Sequence, residues 1–400
     1  MKSVTVKPWQ AGAARKRPRL FAFVRWSRFP FGTLALALGF LALGALLVYS
    51  MSSVDALYQR DDVRFAAHLK KVAVAGPFLA IGLFLRPRTL RKRAWLVYLG
   101  AIVLLMLVPV IGEERNNAKR WIPTPIRFDL QPSEFAKVAL VIVLARVLHV
   151  RRMTRPSDWL VVAGLTLLPM GLVMAQPDLG TALTLAPIAV GMCYLAGGSG
   201  RLLAAIAAAG VLLGVTAWQF QWVQDYQLRR IDTWAATFEP GRLIDDKNGQ
   251  SFHVYHARVC IGNGGLDGTG LGEGLASRAG YLPERESDSI FCVVAEEGGF
   301  VGATLFVILY VGLMALLLRT ASQIRERFTR LVVGGVALYF AAHFFINSGV
   351  NLGLLPMTGL TLPLLSTGGS SMLATFAALG VALGLAAQQE PSLDEDAFID

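Results

Sequence analysis

The sequence predicts an all-α polytopic integral membrane protein with about ten transmembrane helices, and three observations carry that prediction. The 400 residues are 54% hydrophobic and only 16% charged, with a mean hydropathy of +0.52, a balance foreign to water-soluble domains. Apolar runs of spanning length, roughly 17 to 25 residues, recur along the chain. The formal net charge of +11 sits in short basic runs between those segments and forms no single basic surface, so it reads as a topology signal and nucleic acid is excluded as a partner.

A basic tail, 1–30, carries Arg15, Lys16, Arg17, Arg19, Arg25 and Arg28 ahead of the first apolar run at 31–50. That run is long enough to span, which predicts a retained helix and not a cleaved signal peptide. Further runs fall at 68–85, 94–112, 132–150, 158–175, 180–197, 201–221, 289–318, 331–350 and 369–388. Pro77 and Pro187 interrupt two of them, which lowers their helix propensity. The basic connections at 86–93, 151–156 and 319–327 fall on the side of the N-terminus and make it cytoplasmic. The plan is therefore a cytoplasmic tail at 1–30, a transmembrane domain at 31–388 and an acidic cytoplasmic tail at 389–400.

The opposite face receives 51–67, 113–131, the QPDLG turn at 176–180, a long segment at 222–288 and 351–368. Aromatic residues such as Trp222, Tyr226, Trp234 and Tyr281 punctuate the long segment, which predicts a membrane-hugging lid or groove wall. Within it the run GNGGLDGTGLGEG, 262–274, demands a backbone that turns repeatedly or approaches something closely. Cys193, Cys260 and Cys292 are odd in number and lack CxxC spacing, so neither a disulfide framework nor a zinc site is indicated.

The chemistry-bearing stretch is YLPERESDSIFCVVAEE, 281–297. Asp288 stands immediately before an apolar run, where an acid either caps the helix or serves as a base raised in pKa by partial desolvation. Glu284 and Glu286 are expected to stay solvated. Glu296 and Glu297 lie about two turns deeper, where a carboxylate needs a basic partner or a direct role with substrate or protons. Lys137 lies a turn into the membrane, free to snorkel, to pair with Glu134 three residues earlier, or to meet Asp288. Arg120 and Trp121 read as an interfacial anchor or an anionic headgroup site. Asp178 either caps the helix after it or lines a broken turn. A divalent cation such as Mg or Mn at Asp288 is conceivable, although no companion ligands are evident, and no cofactor is required.

In this order, AKRWIPTPIRFDLQPSEFAK, QPDLGTA, YQLRRI with the glycine run, LPERESDSIFCVVAEEGGFVG and GLLPMTGLTLPLLSTGGSS resemble the motifs of the SEDS family (shape, elongation, division and sporulation), of RodA and FtsW type. The resemblance spans nearly the whole membrane region. It implies a ten-helix SEDS fold and a peptidoglycan glycosyltransferase that polymerises lipid II outside the bacterial cytoplasmic (inner) membrane. It further implies catalytic roles for Asp288, as base, and Lys137, as its counter-ion. Substrate contacts are implied for Arg120, Trp121, Glu134, Gln176, Asp178, Glu284, Glu296, Glu297 and Ser370. Implied partners are lipid II, polyprenyl diphosphate-linked glycan, a class B penicillin-binding protein and other elongasome or divisome membrane proteins. The stretch FEPGRLIDDKNGQSFHVYHARVCIGNGGL resembles the elongation branch, whereas GLLPMTGLTLPLLS also suits septal division; elongation is preferred. A lipid II flippase, motivated by Asp178, Glu296 and Glu297, and a non-catalytic membrane scaffold are the alternatives.

Overall fold

Each of the ten apolar runs folds as a helix in the computed structural model, which describes residues 26–59, 65–115, 118–124, 129–220, 225–239, 241 and 251–388. In chain order the elements are α1 (Phe31–Leu57), α2 (Phe65–Phe84), α3 (Pro87–Ile111), β1 (Glu113–Arg115), β2 (Ala118–Pro123), β3 (Asp129–Leu130), α4 (Pro132–Leu148), α5 (Pro156–Ala175), α6 (Leu179–Leu195) and α7 (Gly200–Gln219). They continue with α8 (Asp225–Ala236), α9 (Phe252–Asn263), α10 (Leu275–Ala279), α11 (Ile290–Gln323), α12 (Arg327–Asn351) and α13 (Gly369–Ala387). Most of the basic tail and all of 389–400 lie outside the described residues, as do Trp222 and parts of the 222–288 loop.

Among the described residues seven helices, α1, α2, α3, α5, α11, α12 and α13, are long and apolar enough to cross a membrane. The chain is thus a multi-pass membrane protein, but length and apolarity support seven crossings where the composition predicts about ten. Two of the other three helices differ for local reasons. α4 and α6 have 17 residues each, at the lower edge of spanning length, and α4 carries Glu134, Lys137 and Arg146. Pro77 and Pro187 do not break α2 or α6, as expected where neighbouring helices satisfy the freed carbonyls.

The bundle closes around α13 and α12, whose apolar windows are 94% and 78% buried, against 17% to 33% for the other five. Close approach of α2 to α13 depends on glycine. A side chain at Gly380 or Gly384 would lie 2.3 Å from the carbonyl oxygens of Leu79 and Leu83, respectively, so the GVALG spacing lets backbones touch in the manner of small-xxx-small membrane interfaces. An all-α reading did not foresee the outer loop, which forms a small antiparallel sheet in the order β1-β2-β3, with Glu113 opposite Trp121 and Ile122 opposite Leu130.

The 34-residue α11 is broken at Gly299, where φ is 64° and ψ −167°. An unbroken helix would bond the amides of Phe300 and Val301 to the carbonyls of Glu296 and Glu297. Instead those amides donate to Gly265 and Leu266 oxygens at 2.9 and 3.1 Å, while the two glutamate carbonyls accept from Thr269 and Gly270 amides at 2.9 and 3.1 Å. The glycine run is spliced into the broken helix. Every exchanged bond is remade, which is the condition for irregular backbone within a membrane protein.

Candidate active site

Asp288 lies in the tight turn 283–289 that leads into α11. The residue bounding the helix is Ser289, and it makes no capping side-chain bond; the sequence-based cap role for Asp288 is not realised. Its carboxylate accepts one hydrogen bond, from Ser287 Oγ to Oδ1 at 3.1 Å. The backbone carbonyl is gripped instead: the side-chain amides of Asn347 and Asn351 donate to it at 2.8 and 3.0 Å. Gly359, at φ +67°, faces the carboxylate so closely that a Cβ there would sit 3.3 Å from Oδ2.

The surroundings raise the Asp288 carboxyl to about 7, first by withdrawal from water and then by the charge of Glu284, with Glu286 and Asp178 adding to it and the Ser287 hydrogen bond opposing. A carboxylate poised there is a base matched to neutral pH. Glu284 is exposed, as expected, but Glu286 is half-buried and its carboxyl is pushed up mainly by that burial. Asp288 has no counterpart set of ligands: among the described residues no group of three or more His, Cys, Asp or Glu side chains is placed to hold a metal ion.

Lys137 is fully buried and does not meet Asp288. Its ammonium pairs with Glu134 Oε1 at 2.7 Å and lies 2.7 Å from His343 Nε2, while His343 Nδ1 lies 3.1 Å from the Thr361 carbonyl. The local i,i+3 pairing thus prevails over the long-range one. From α2, Lys71 donates to the Thr367 carbonyl at 2.8 Å and lies within electrostatic reach of Glu286, Glu284 and Asp129. His343, Asn347 and Asn351, four residues apart along α12, line up as a buried polar stripe. Sequence reasoning passed over them, although polar groups repeating at helical spacing in an apolar run are a readable signal.

The outer motifs converge around the turn. Arg120 donates from Nε to the Gln176 carbonyl at 3.1 Å and also to the Pro177 carbonyl, so two guanidinium nitrogens hold the QPDLG turn. Gln176 reaches the Leu105 carbonyl at 2.9 Å. Asp178 caps α6 through Thr181 N at 3.2 Å and accepts from Gln131 Nε2 at 3.1 Å. Ser370 donates to the Asp129 carbonyl at 2.6 Å and accepts from the Gln131 amide at 2.8 Å. Trp121 is half-buried on β2. Glu296 and Glu297 both accept from backbone amides of the glycine loop and the short helix after it. Glu296 accepts from the amides of Leu275 and Ala276 and from Asn263 Nδ2 at 3.0 to 3.2 Å, and Glu297 Oε1 accepts from Gly272 N at 3.0 Å. They secure the spliced glycine loop.

A second clasp fixes the turn from below. Arg285 donates to both oxygens of Asp55 at 2.5 Å and to the Ala276 carbonyl at 2.9 Å, all within the interior. Breaking a buried pair strands a charge, so Arg285→Met is expected to destabilise the fold by about 3 to 5 kcal/mol, with the double change D55L/R285M recovering most of it. Thermal unfolding in detergent checks this, and an R285M variant as stable as the parent would rule the clasp out.

The family model described as cell cycle protein, covering FtsW, RodA and SpoVE, matches residues 32–390. The chain belongs to this family. Among FtsW/RodA/SpoVE relatives, the peptidoglycan glycosyltransferase MrdB of Escherichia coli strain K12 is 33% identical over 86% of this chain and 91% of its own length. A probable peptidoglycan glycosyltransferase FtsW of Geobacter sulfurreducens is 33% identical over 90% and 95%, respectively. A solved chain from a peptidoglycan synthase complex that coordinates polymerization and crosslinking superposes with a TM-score of 0.74, at 31% identity, over 91% of this chain and 99% of that one.

Proposed function

We propose that this chain is a peptidoglycan glycan-strand polymerase. It transfers the growing glycan from its undecaprenyl diphosphate carrier to the GlcNAc 4-hydroxyl of lipid II at the outer face of a bacterial cytoplasmic membrane. The observation that carries the reading is the Asp288 carboxylate: uncapped, held by its own backbone and raised to about 7, in a family whose relatives are named peptidoglycan glycosyltransferases. Asp288 takes the proton of the 4-hydroxyl as that oxygen bonds to the anomeric carbon. The anomeric carbon–oxygen bond breaks, and its electron pair leaves with undecaprenyl diphosphate. An α-linked donor giving a β-1,4 product requires one base and no covalent intermediate.

In this reading Lys137 is a positioning residue. It neutralises Glu134 and orients His343 on the helix whose Asn347 and Asn351 hold Asp288. Arg120, Trp121, Gln176, Asp178 and Ser370 shape the outer wall that receives substrate. The basic connections at 86–93, 151–156 and 319–327 support a cytoplasmic setting for the opposite surface and both termini. Cell-wall elongation is the preferred setting and septal division the other. The synthase complex containing a related chain supports a class B penicillin-binding protein as partner. The transport alternative loses its motive, since Glu296 and Glu297 are engaged by the glycine loop.

The test is direct. Purified chain with its cognate penicillin-binding protein, fed labelled lipid II, should build glycan polymer; proteoliposomes that move lipid II across the bilayer and make no polymer would replace polymerase with flippase. The pH dependence follows from the base. Since Asp288 must be ionised, kcat/KM should rise about tenfold per pH unit below about 7 and level off above it. Glu284→Gln removes the strongest of the like charges raising Asp288, so its acid limb should move to lower pH. A limb that stays in place in E284Q would overturn the assignment.

A further inference from the structure

A polar cavity lies at the opposite end of α11 from Asp288. Its volume is about 460 Å³, and it opens between the start of α1 and the end of α11, within the size range of small-molecule sites. Arg28, Arg319, Ser27 and Gln323 supply its polar rim, and Phe29, Pro30 and Leu316 its apolar floor. The arginines are exposed, and among the described residues neither guanidinium has an acidic partner. Of the described acids at this surface, Asp158 is engaged by Arg151 at 2.7 Å and Glu326 by Arg91 at 3.5 Å.

Gly32 and Thr33 of the first turn of α1 also line the cavity. That turn has no side-chain cap, so its amides add positive potential to that of the guanidiniums. Trp26 and Phe31, next to these lining residues in the chain, are 57% and 58% exposed, and their rings pack against that of Phe29 at 5.5 and 4.9 Å. Exposed aromatic rings at the end of a spanning helix mark headgroup depth. Two arginines with no acidic partner among the described residues, above an apolar floor at that depth, match a phosphate joined to a glycerol and acyl chains.

We propose that this cavity binds the headgroup of an anionic phospholipid in the leaflet opposite the candidate active site. The site is independent of glycosyl transfer and would hold whatever the reaction at Asp288. The test uses the full chain in mixed micelles, titrated with phosphatidylglycerol, phosphatidylcholine or inorganic phosphate, with retained lipid counted by native mass spectrometry. Phosphatidylglycerol should bind about tenfold tighter than phosphatidylcholine. R28Q/R319Q should abolish that preference, and R93Q/R330Q, at the same surface but outside the cavity, should keep it. L316W, which fills the floor and leaves both charges, should also abolish it, so the result does not hang on one variant. No preference in the parent chain, or a preference that survives both cavity variants, would overturn the site. Inorganic phosphate that displaces phosphatidylglycerol would overturn the lipid as occupant.

Discussion

Asp288→Asn should reduce glycan polymer from labelled lipid II by about a hundred- to ten-thousandfold, the range a positioned general base supplies. The variant should melt like the parent chain. The carboxylate caps no helix, and an asparagine Oδ1 accepts the Ser287 hydrogen bond as readily as Asp288 does. The Asn347 and Asn351 amides hold a carbonyl of the backbone, which the substitution leaves untouched. Loss of activity with the fold kept therefore isolates the ionisable group. Polymer within about threefold of the parent, from D288N that melts normally, would remove Asp288 from the reaction.

The largest structural effect is expected at Gly268. Its φ is +82°, and a Cβ there would lie 2.2 Å from the Glu297 carbonyl oxygen, with Gly298 and Gly299 backbone at 2.7 Å. Neither side of the contact can yield, because both are main chain held in the splice. Gly268→Ala should destabilise the protein by about 2 to 6 kcal/mol, combining left-handed strain with overpacking. Gly265 is the matched control. It shares a positive φ, +53°, but its Cβ would meet nothing within 4 Å, so Gly265→Ala should cost only about 1 to 2 kcal/mol. Thermal unfolding of the two variants in detergent separates them; equal losses would mean that the loop is not spliced into α11.

Much of this was legible in the chain itself. Apolar runs announce membrane helices because the bilayer leaves the backbone no other partner, and all ten runs are helical despite Pro77 and Pro187. Asp288 was legible from its place at the end of such a run, where an acid is conspicuous. So was the need of GNGGLDGTGLGEG for close approach. Its partner was not, since nothing in AEEGG states that the amides after Gly299 will abandon their own helix.

Composition and local spacing by themselves determined a polytopic helical protein and the carboxylate to suspect, because burial preferences and i,i+3 neighbours are properties of a segment. The Glu134–Lys137 pair was one of two partnerships the sequence left open to Lys137, and it is local. Tertiary structure alone decided the rest: that Lys137 leans on His343, that Asn347 and Asn351 grip Asp288, that Glu296 serves a loop, and that Lys71 stands by the acidic turn. These contacts join residues tens to hundreds of positions apart. Which of several chemically equivalent partners is taken depends on how the helices pack, and helix packing is a property of the assembled bundle.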